Sequence, residues 1–142
     1  MKKIFTLILA LAGLFLYTAK ADTPVSGTIS TDSIWDLAGS PYIVTSTIIV
    51  SEGATLNIDS GVVVRFQANQ GMVISGSLDA YKCTFRSDAS TQNEGDWSEI
   101  GIGTTGIAGT ADFYGCVIEY GGRSTTNDSY GMVVVERGTV NF

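Results

Sequence analysis

Four acidic residues near the middle of the chain carry oxygen atoms that could bind a metal ion. Asp88, Glu94, Asp96 and Glu99 fall within twelve residues of sequence. Ca²⁺ takes about six to eight oxygen ligands, so an oxygen-rich loop of this kind is a candidate calcium site. The D-x-[DN]-x-[DN]-G spacing of an EF-hand loop is absent here. The favoured interpretation is a loop whose charged side chains face water, and calcium is the one cofactor that the sequence suggests.

Asp79 and Asp112 are the best candidates for an acid–base pair. They occupy equivalent positions in two copies of a repeat that is described below. If the copies stack, the two carboxylates lie about 5 Å apart, where repulsion would raise the pKa of one of them. Such a shift needs burial, however, and an outward-facing polar pair in water would not provide it. We expect the outward-facing arrangement, with no catalytic role.

Cys83 and Cys116 also share one position of that repeat. Stacking would place their Cα atoms inside the window of about 4.4–6.8 Å that a disulfide tolerates. Side chains stacked directly above each other point the same way, which suits two buried free thiols better than a strained bridge. We expect free thiols, with a disulfide as the alternative.

Glycine-led segments recur along the chain in register. Gly76–Phe85 aligns without gaps on Gly109–Ile118, a third copy begins at Gly138–Phe142, and a looser copy is Gly53–Ile58. The leading glycines are spaced 23, 33 and 29 residues apart. Repeats of this length indicate stacked structural units, and their short β-branched runs between turn residues predict strands.

This repeat predicts an all-β fold, a parallel β-helix of about five coils. The longer spacings are expected to be corner insertions at Ser87–Asp96 and Gly121–Ser129, both of which are polar. The alternative architecture is a β-sandwich, whose strands usually alternate apolar and polar residues over longer stretches.

The first 21 residues predict a cleaved secretory signal peptide. Lys2 and Lys3 precede the apolar run Ile4–Tyr17, and Ala19 and Ala21 give the small-x-small pattern before a cleavage site. The run is shorter than the roughly 20 residues of a membrane-spanning helix, which is the alternative interpretation. We therefore expect residues 22–142 to form one domain, secreted or at the cell surface and without a membrane span.

Charge and composition narrow the possible partners. Three of the eight basic residues lie in the signal peptide, so five basic and 14 acidic residues remain, a net charge near −9. This balance argues against nucleic acid or an anionic membrane as a partner. The chain contains no His, which removes the commonest general base and metal ligand.

Several phrases resemble bacterial secreted right-handed parallel β-helix proteins of the pectin-lyase-like superfamily. They are Gly27–Ser30, Trp35, Ala38–Val44, Gly53–Phe66, Gly95–Trp97, Ile100–Ile102 and Cys116–Gly122. The resemblance implies the fold and says little about activity. It also suggests the N-terminal fragment of a longer protein, because a β-helix needs a cap that Phe142 leaves no room for; a genuinely short protein is the alternative.

Enzymatic motifs of that superfamily are missing from the chain. The Asn-Thr-Asp, Asp-Asp and Gly-His-Gly set of polygalacturonase-type enzymes does not occur, and no motif singles out one of the arginines as the catalytic Arg of a pectate lyase (Arg65, Arg86, Arg123, Arg137). We expect a structural, adhesive or glycan-binding module without catalytic residues. The alternative is the N-terminal part of a polysaccharide lyase or glycoside hydrolase whose catalytic coils lie beyond residue 142.

Aromatic residues supply the one candidate surface for a polysaccharide partner. Stacking of sugar on exposed rings is one interpretation, and filling of the core or bracing of corners is the other. The residues concerned are Trp35, Trp97, Tyr81, Tyr114, Tyr120 and Tyr130.

Overall fold

The computed structural model describes residues 20–122 and 132–142, and these residues form strands and turns without a helix. The signal peptide predicted for residues 1–21 lies almost entirely outside the described residues, as does most of the second predicted insertion. No helix in the described part of the chain is long and apolar enough to cross a membrane. The strands are β1 (Thr23–Ile29), β2 (Ser33–Trp35), β3 (Tyr42–Val50), β4 (Thr55–Ile58), β5 (Val63–Phe66), β6 (Met72–Ile74), β7 (Ser77–Tyr81), β8 (Thr84–Ser87), β9 (Ile100–Ile102), β10 (Gly109–Tyr114), β11 (Val117–Ile118), β12 (Val133–Val135) and β13 (Gly138–Asn141).

These strands form two curled sheets, and every pairing between them is parallel. One sheet has the order β11-β8-β5-β3-β6-β9-β12, with β1 also paired to β3; the other has the order β13-β10-β7-β4-β2. Neighbours within a sheet are therefore not consecutive in the chain, and each strand pairs with a strand of the next repeat. The described residues are all-β with parallel strands, as the repeat predicts, and the antiparallel pairing of a β-sandwich is not found between these strands.

The repeat register predicted for β7 and β10 is confirmed. Asp79 pairs with Asp112 and Tyr81 with Tyr114, and the third copy pairs with β10 from Gly138 onward. The wide spacing between Gly76 and Gly109 is also explained, because no strand lies between the end of β8 and the start of β9.

The looser copy led by Gly53 is displaced by one residue from the predicted alignment. Thr55 pairs with Ser77, so Ala54, rather than Gly53, precedes the strand at the place of Gly76. Gly53 has a φ of 81° and open space around it, so it serves a turn. A Cβ at Gly76 would overlap the carbonyl oxygens of Ser51 and Ala54 in the preceding repeat, which explains why glycine is needed there.

Alternation along the strands separates a buried face from an exposed one. In β10 buried and exposed residues alternate over all six positions, as period-two geometry requires of a strand with one face on the core. Inward residues of successive rungs lie above each other, as in the column of Leu56, Leu78 and Ala111. Burial of these columns between the sheets stabilises the fold through the apolar area removed from water.

Candidate functional site

The exposed face of the five-stranded sheet carries a column of carboxylate and amide side chains. Asn57, Asp79, Asp112 and Asn141 pair in register on four neighbouring strands. Nδ2 of Asn141 donates a hydrogen bond to Oδ1 of Asp112. The column thus presents hydrogen-bond acceptors at regular rung spacing, about 4.8 Å apart.

Two tyrosines stand beside this column. The rings of Tyr81 and Tyr114 are parallel within 3°, with centroids 5.0 Å apart. They remain 46% and 62% exposed, respectively. Nζ of Lys82 lies 5.0 Å from the centroid of the Tyr81 ring, a cation–π distance. Ring stacking and the cation restrain the rings, so the pair is an ordered aromatic surface in contact with water.

A shallow groove joins the tyrosines to the polar column. Its volume is 260 Å³, and it is lined by Asn57, Ile58, Asp59, Asp79, Ala80, Tyr81, Asp112 and Tyr114. The lining combines aromatic rings with carboxylate and amide groups. Binding sites for small molecules usually combine an apolar surface with a few placed polar groups in this way.

Hydroxyl groups continue the polar surface on the side away from the tyrosines. The hydroxyls of Ser77 and Thr110 lie 2.9 Å apart and share a hydrogen bond. Thr55 and Thr139 pair with them in the neighbouring rungs. The face therefore has three columns, one of hydroxyls, one of carboxylates and amides, and one that contains the tyrosines.

Asp79 and Asp112 do stack, but both are exposed. The pair therefore lacks the buried environment that a catalytic acid–base pair requires. Its carboxylates are available as hydrogen-bond acceptors for a ligand.

The four acidic residues of the candidate calcium loop have separate surroundings. Asp88 lies 3.2 Å from Arg65. Oδ2 of Asp96 accepts a hydrogen bond from the backbone N–H of Asn93, and this bond holds the pKa of Asp96 below its usual value. Burial raises the pKa of Glu99, and Glu94 is exposed. Among residues 20–122 and 132–142, no group of three or more acidic or cysteine side chains could hold a metal ion.

Cys83 and Cys116 are neighbours, as their repeat position predicts. Their sulfur atoms lie 3.4 Å apart, and Sγ of Cys116 also lies 3.3 Å from the carbonyl oxygen of Ala80. Cys83 is buried and Cys116 partly buried. Burial, with the adjacent thiol, raises the pKa of Cys83 far above its usual value. Neither cysteine lines the groove beside the tyrosines.

The other candidate aromatic residues do not join the tyrosine face. Trp35 stacks on Tyr42, and Trp97 stacks on Phe66 in the core. Tyr120 is half-buried, and Tyr130 lies outside the described residues.

Sequence reasoning missed two features of these surfaces. Asn57 escaped notice because the one-residue displacement at Gly53 hid its equivalence to Asp79. The register pairing of Arg65 with Arg86 was also missed. Both arginines lie between two buried residues of a short strand, and a comparison of these strand patterns could have found the pair.

No protein-family model, curated protein or solved structure matches this chain.

Proposed function

We propose that this chain is an exported parallel β-helix module that binds neutral glycans on the outer face of the five-stranded sheet. One observation carries the proposal: the exposed, parallel rings of Tyr81 and Tyr114 stand beside the column of Asp79 and Asp112. The fold is proposed to be the right-handed β-helix of the pectin-lyase-like superfamily, secreted or held at the cell surface. Parallel pairing between successive repeats and the phrases of the sequence support that assignment.

Stacking on the tyrosine pair would supply the apolar part of the binding energy. The C–H face of a pyranose ring is apolar, and packing it on an aromatic ring removes both surfaces from water. Tyr114 is the more exposed of the two tyrosines, so it is expected to contribute the larger share. Tyr81 supports the ring of Tyr114 from the neighbouring rung.

The polar column would supply hydrogen bonds and select the charge of the ligand. Sugar hydroxyls donate to carboxylates, and hydrogen bonds to charged groups are stronger than those between neutral groups. Asp59, Asp79 and Asp112 all line the groove. Their negative charges repel an anionic polysaccharide, so a neutral chain is the expected ligand.

Titration calorimetry with neutral oligosaccharides of glucose, mannose and galactose tests the proposal, with oligogalacturonate as the anionic comparison. Tyr114→Ala is expected to weaken binding at least about fivefold, since truncation of an anchoring aromatic residue typically costs more than about 1 kcal/mol. Tyr114→Phe keeps the ring and should retain most of the affinity. Ile49→Ala, at an exposed position of the other sheet, is the matched control.

Binding that survives Tyr114→Ala as well as it survives Ile49→Ala would refute the assignment of the site. Saturable binding of lysine-rich peptides with no binding of neutral oligosaccharides would refute the ligand class, because a surface of carboxylates and rings can also attract cations.

A further inference from the structure

Two arginines lie above each other on the outer face of the other sheet. Arg65 on β5 pairs in register with Arg86 on β8. The residues on either side of each arginine are buried, so both side chains leave the same face of the sheet. Adjacent rungs are about 4.8 Å apart, which brings two positive charges close together on a chain that is otherwise acidic.

The two arginines differ in their partners. Nη2 of Arg65 lies 2.6 Å from Oδ2 of Asp22, and its Nε lies 3.2 Å from Oδ1 of Asp88. The contact to Asp88 has an ion-pair distance without hydrogen-bond geometry, because Nε of Arg65 is buried with no hydrogen-bond partner. Arg86 has no ion pair with any described residue, and its Nε is likewise buried without a partner.

An unpaired buried donor on a cation is costly, because its lost hydration is not replaced. The two acidic residues offset the charge of Arg65, whereas no carboxylate of residues 20–122 and 132–142 lies within ion-pair distance of Arg86. An anion that accepts hydrogen bonds from the guanidinium of Arg86 would offset its positive charge.

A polar cavity opens in front of the arginines. Its volume is 580 Å³, large enough for a small organic anion, and the lining residues are Arg65, Arg86, Ser87, Asp88, Ala89, Ser90, Gln92 and Tyr120. Asp88 is the one carboxylate in this lining, and Arg65 is its ion-pair partner. Hydroxyl and amide groups supply further hydrogen-bond donors.

We propose that this cavity is an oxyanion-binding site in which the guanidinium of Arg86 holds the anion. The planar fork of an arginine presents two parallel N–H donors, which fit a carboxylate, sulfate or phosphate group. Arg65 adds positive potential from the rung below and keeps Asp88 away from the anion. The site is distinct from the tyrosine face and does not depend on glycan binding.

Titration calorimetry of the purified protein with citrate, inorganic phosphate and glucuronate tests the site. We expect saturable binding, strongest for the anion class that the site serves: citrate and glucuronate for carboxylates, phosphate for tetrahedral anions. Arg86→Gln is expected to weaken binding at least about tenfold. Arg86→Lys keeps the charge but not the fork, so an intermediate loss is expected.

Arg137→Gln is the matched control, because it removes the same charge from an exposed position outside the cavity. Equal weakening by Arg86→Gln and Arg137→Gln would show attraction by net charge alone and would overturn the proposal. Absence of saturation in the millimolar range for all three anions would also overturn it. Melting curves of the variants separate lost binding from lost folding, and Arg86→Lys, which keeps the charge, provides a second test if Arg86→Gln unfolds.

Discussion

Replacement of Leu78 by alanine tests how the stacked rungs stabilise the protein. Leu78 is fully buried on β7, and its register partners are Leu56 on one side and Ala111 on the other. Removal of three carbons costs about 2.4 kcal/mol at about 0.8 kcal/mol per buried methylene. The rungs cannot close around the gap without breaking backbone pairing, and Ala111 is too small to fill it. A cavity term of about 1 kcal/mol brings the expected loss to about 3.5 kcal/mol, within the range for buried leucines.

Urea unfolding followed by far-ultraviolet circular dichroism measures this loss. Leu37→Ala is the matched control. Leu37 is 56% exposed, so this substitution should change the free energy of unfolding of the protein by less than about 1 kcal/mol. The melting temperature of Leu78→Ala should fall by about 10–15 °C. Equal effects of the two substitutions would refute the reasoning, since Leu78 would then not be an inward residue of a closed stack.

Three further substitutions or treatments follow from the same contacts. Gly109→Ala should lower the melting temperature, because the added Cβ would overlap a backbone carbonyl of the neighbouring rung. Gly101→Ala should be tolerated, because the nearest atom to its Cβ would lie 3.7 Å away. Equal melting temperatures of the two variants would contradict this. Burial raises the pKa of Glu99, so the stability that its protonated form contributes is present at low pH and is lost as pH rises through the raised pKa. Glu99→Gln should therefore have a higher melting temperature than the parent at neutral pH and the same melting temperature at acidic pH. A difference in melting temperature that does not change with pH would contradict this. Alkylation of the native protein should modify Cys116 before the buried Cys83, whose raised pKa leaves little thiolate; recovery of a disulfide would disprove the prediction of free thiols.

The sequence was most informative where copies of the repeat are close in length and composition. The segments beginning at Gly76 and Gly109 share residue types at five positions, which was enough to predict the pairing of Asp79 with Asp112. The copy near Gly53 was misaligned because glycine has two uses here, as a turn residue with positive φ and as a residue without a Cβ against a backbone. Composition alone does not distinguish these uses.

Exposure was harder to predict than register. Tyr81 and Tyr114 could be assigned from alternation to one face of a strand, but whether that face is covered depends on elements distant in sequence. Trp97 shows the opposite outcome: it lies in a polar segment, yet it is fully buried and its Nε1 donates a hydrogen bond to the carbonyl oxygen of Glu119. The packing partner, Phe66, is far away in the sequence.

No motif marks the pairing of Arg65 with Arg86, although both arginines lie between two buried residues of a short strand. It follows from the register of β5 and β8. Predicting that register requires the length of every intervening turn.

Parallel pairing between successive repeats is the central claim, because it creates both the tyrosine face and the arginine pair. Nuclear Overhauser contacts between backbone protons of β4, β7 and β10 test it most directly. The account predicts that Asp79 contacts Asn57 on one side and Asp112 on the other, with the contact pattern of parallel strands. Strong Hα–Hα contacts typical of antiparallel strands, or no contact between Asp79 and Asp112, would contradict it.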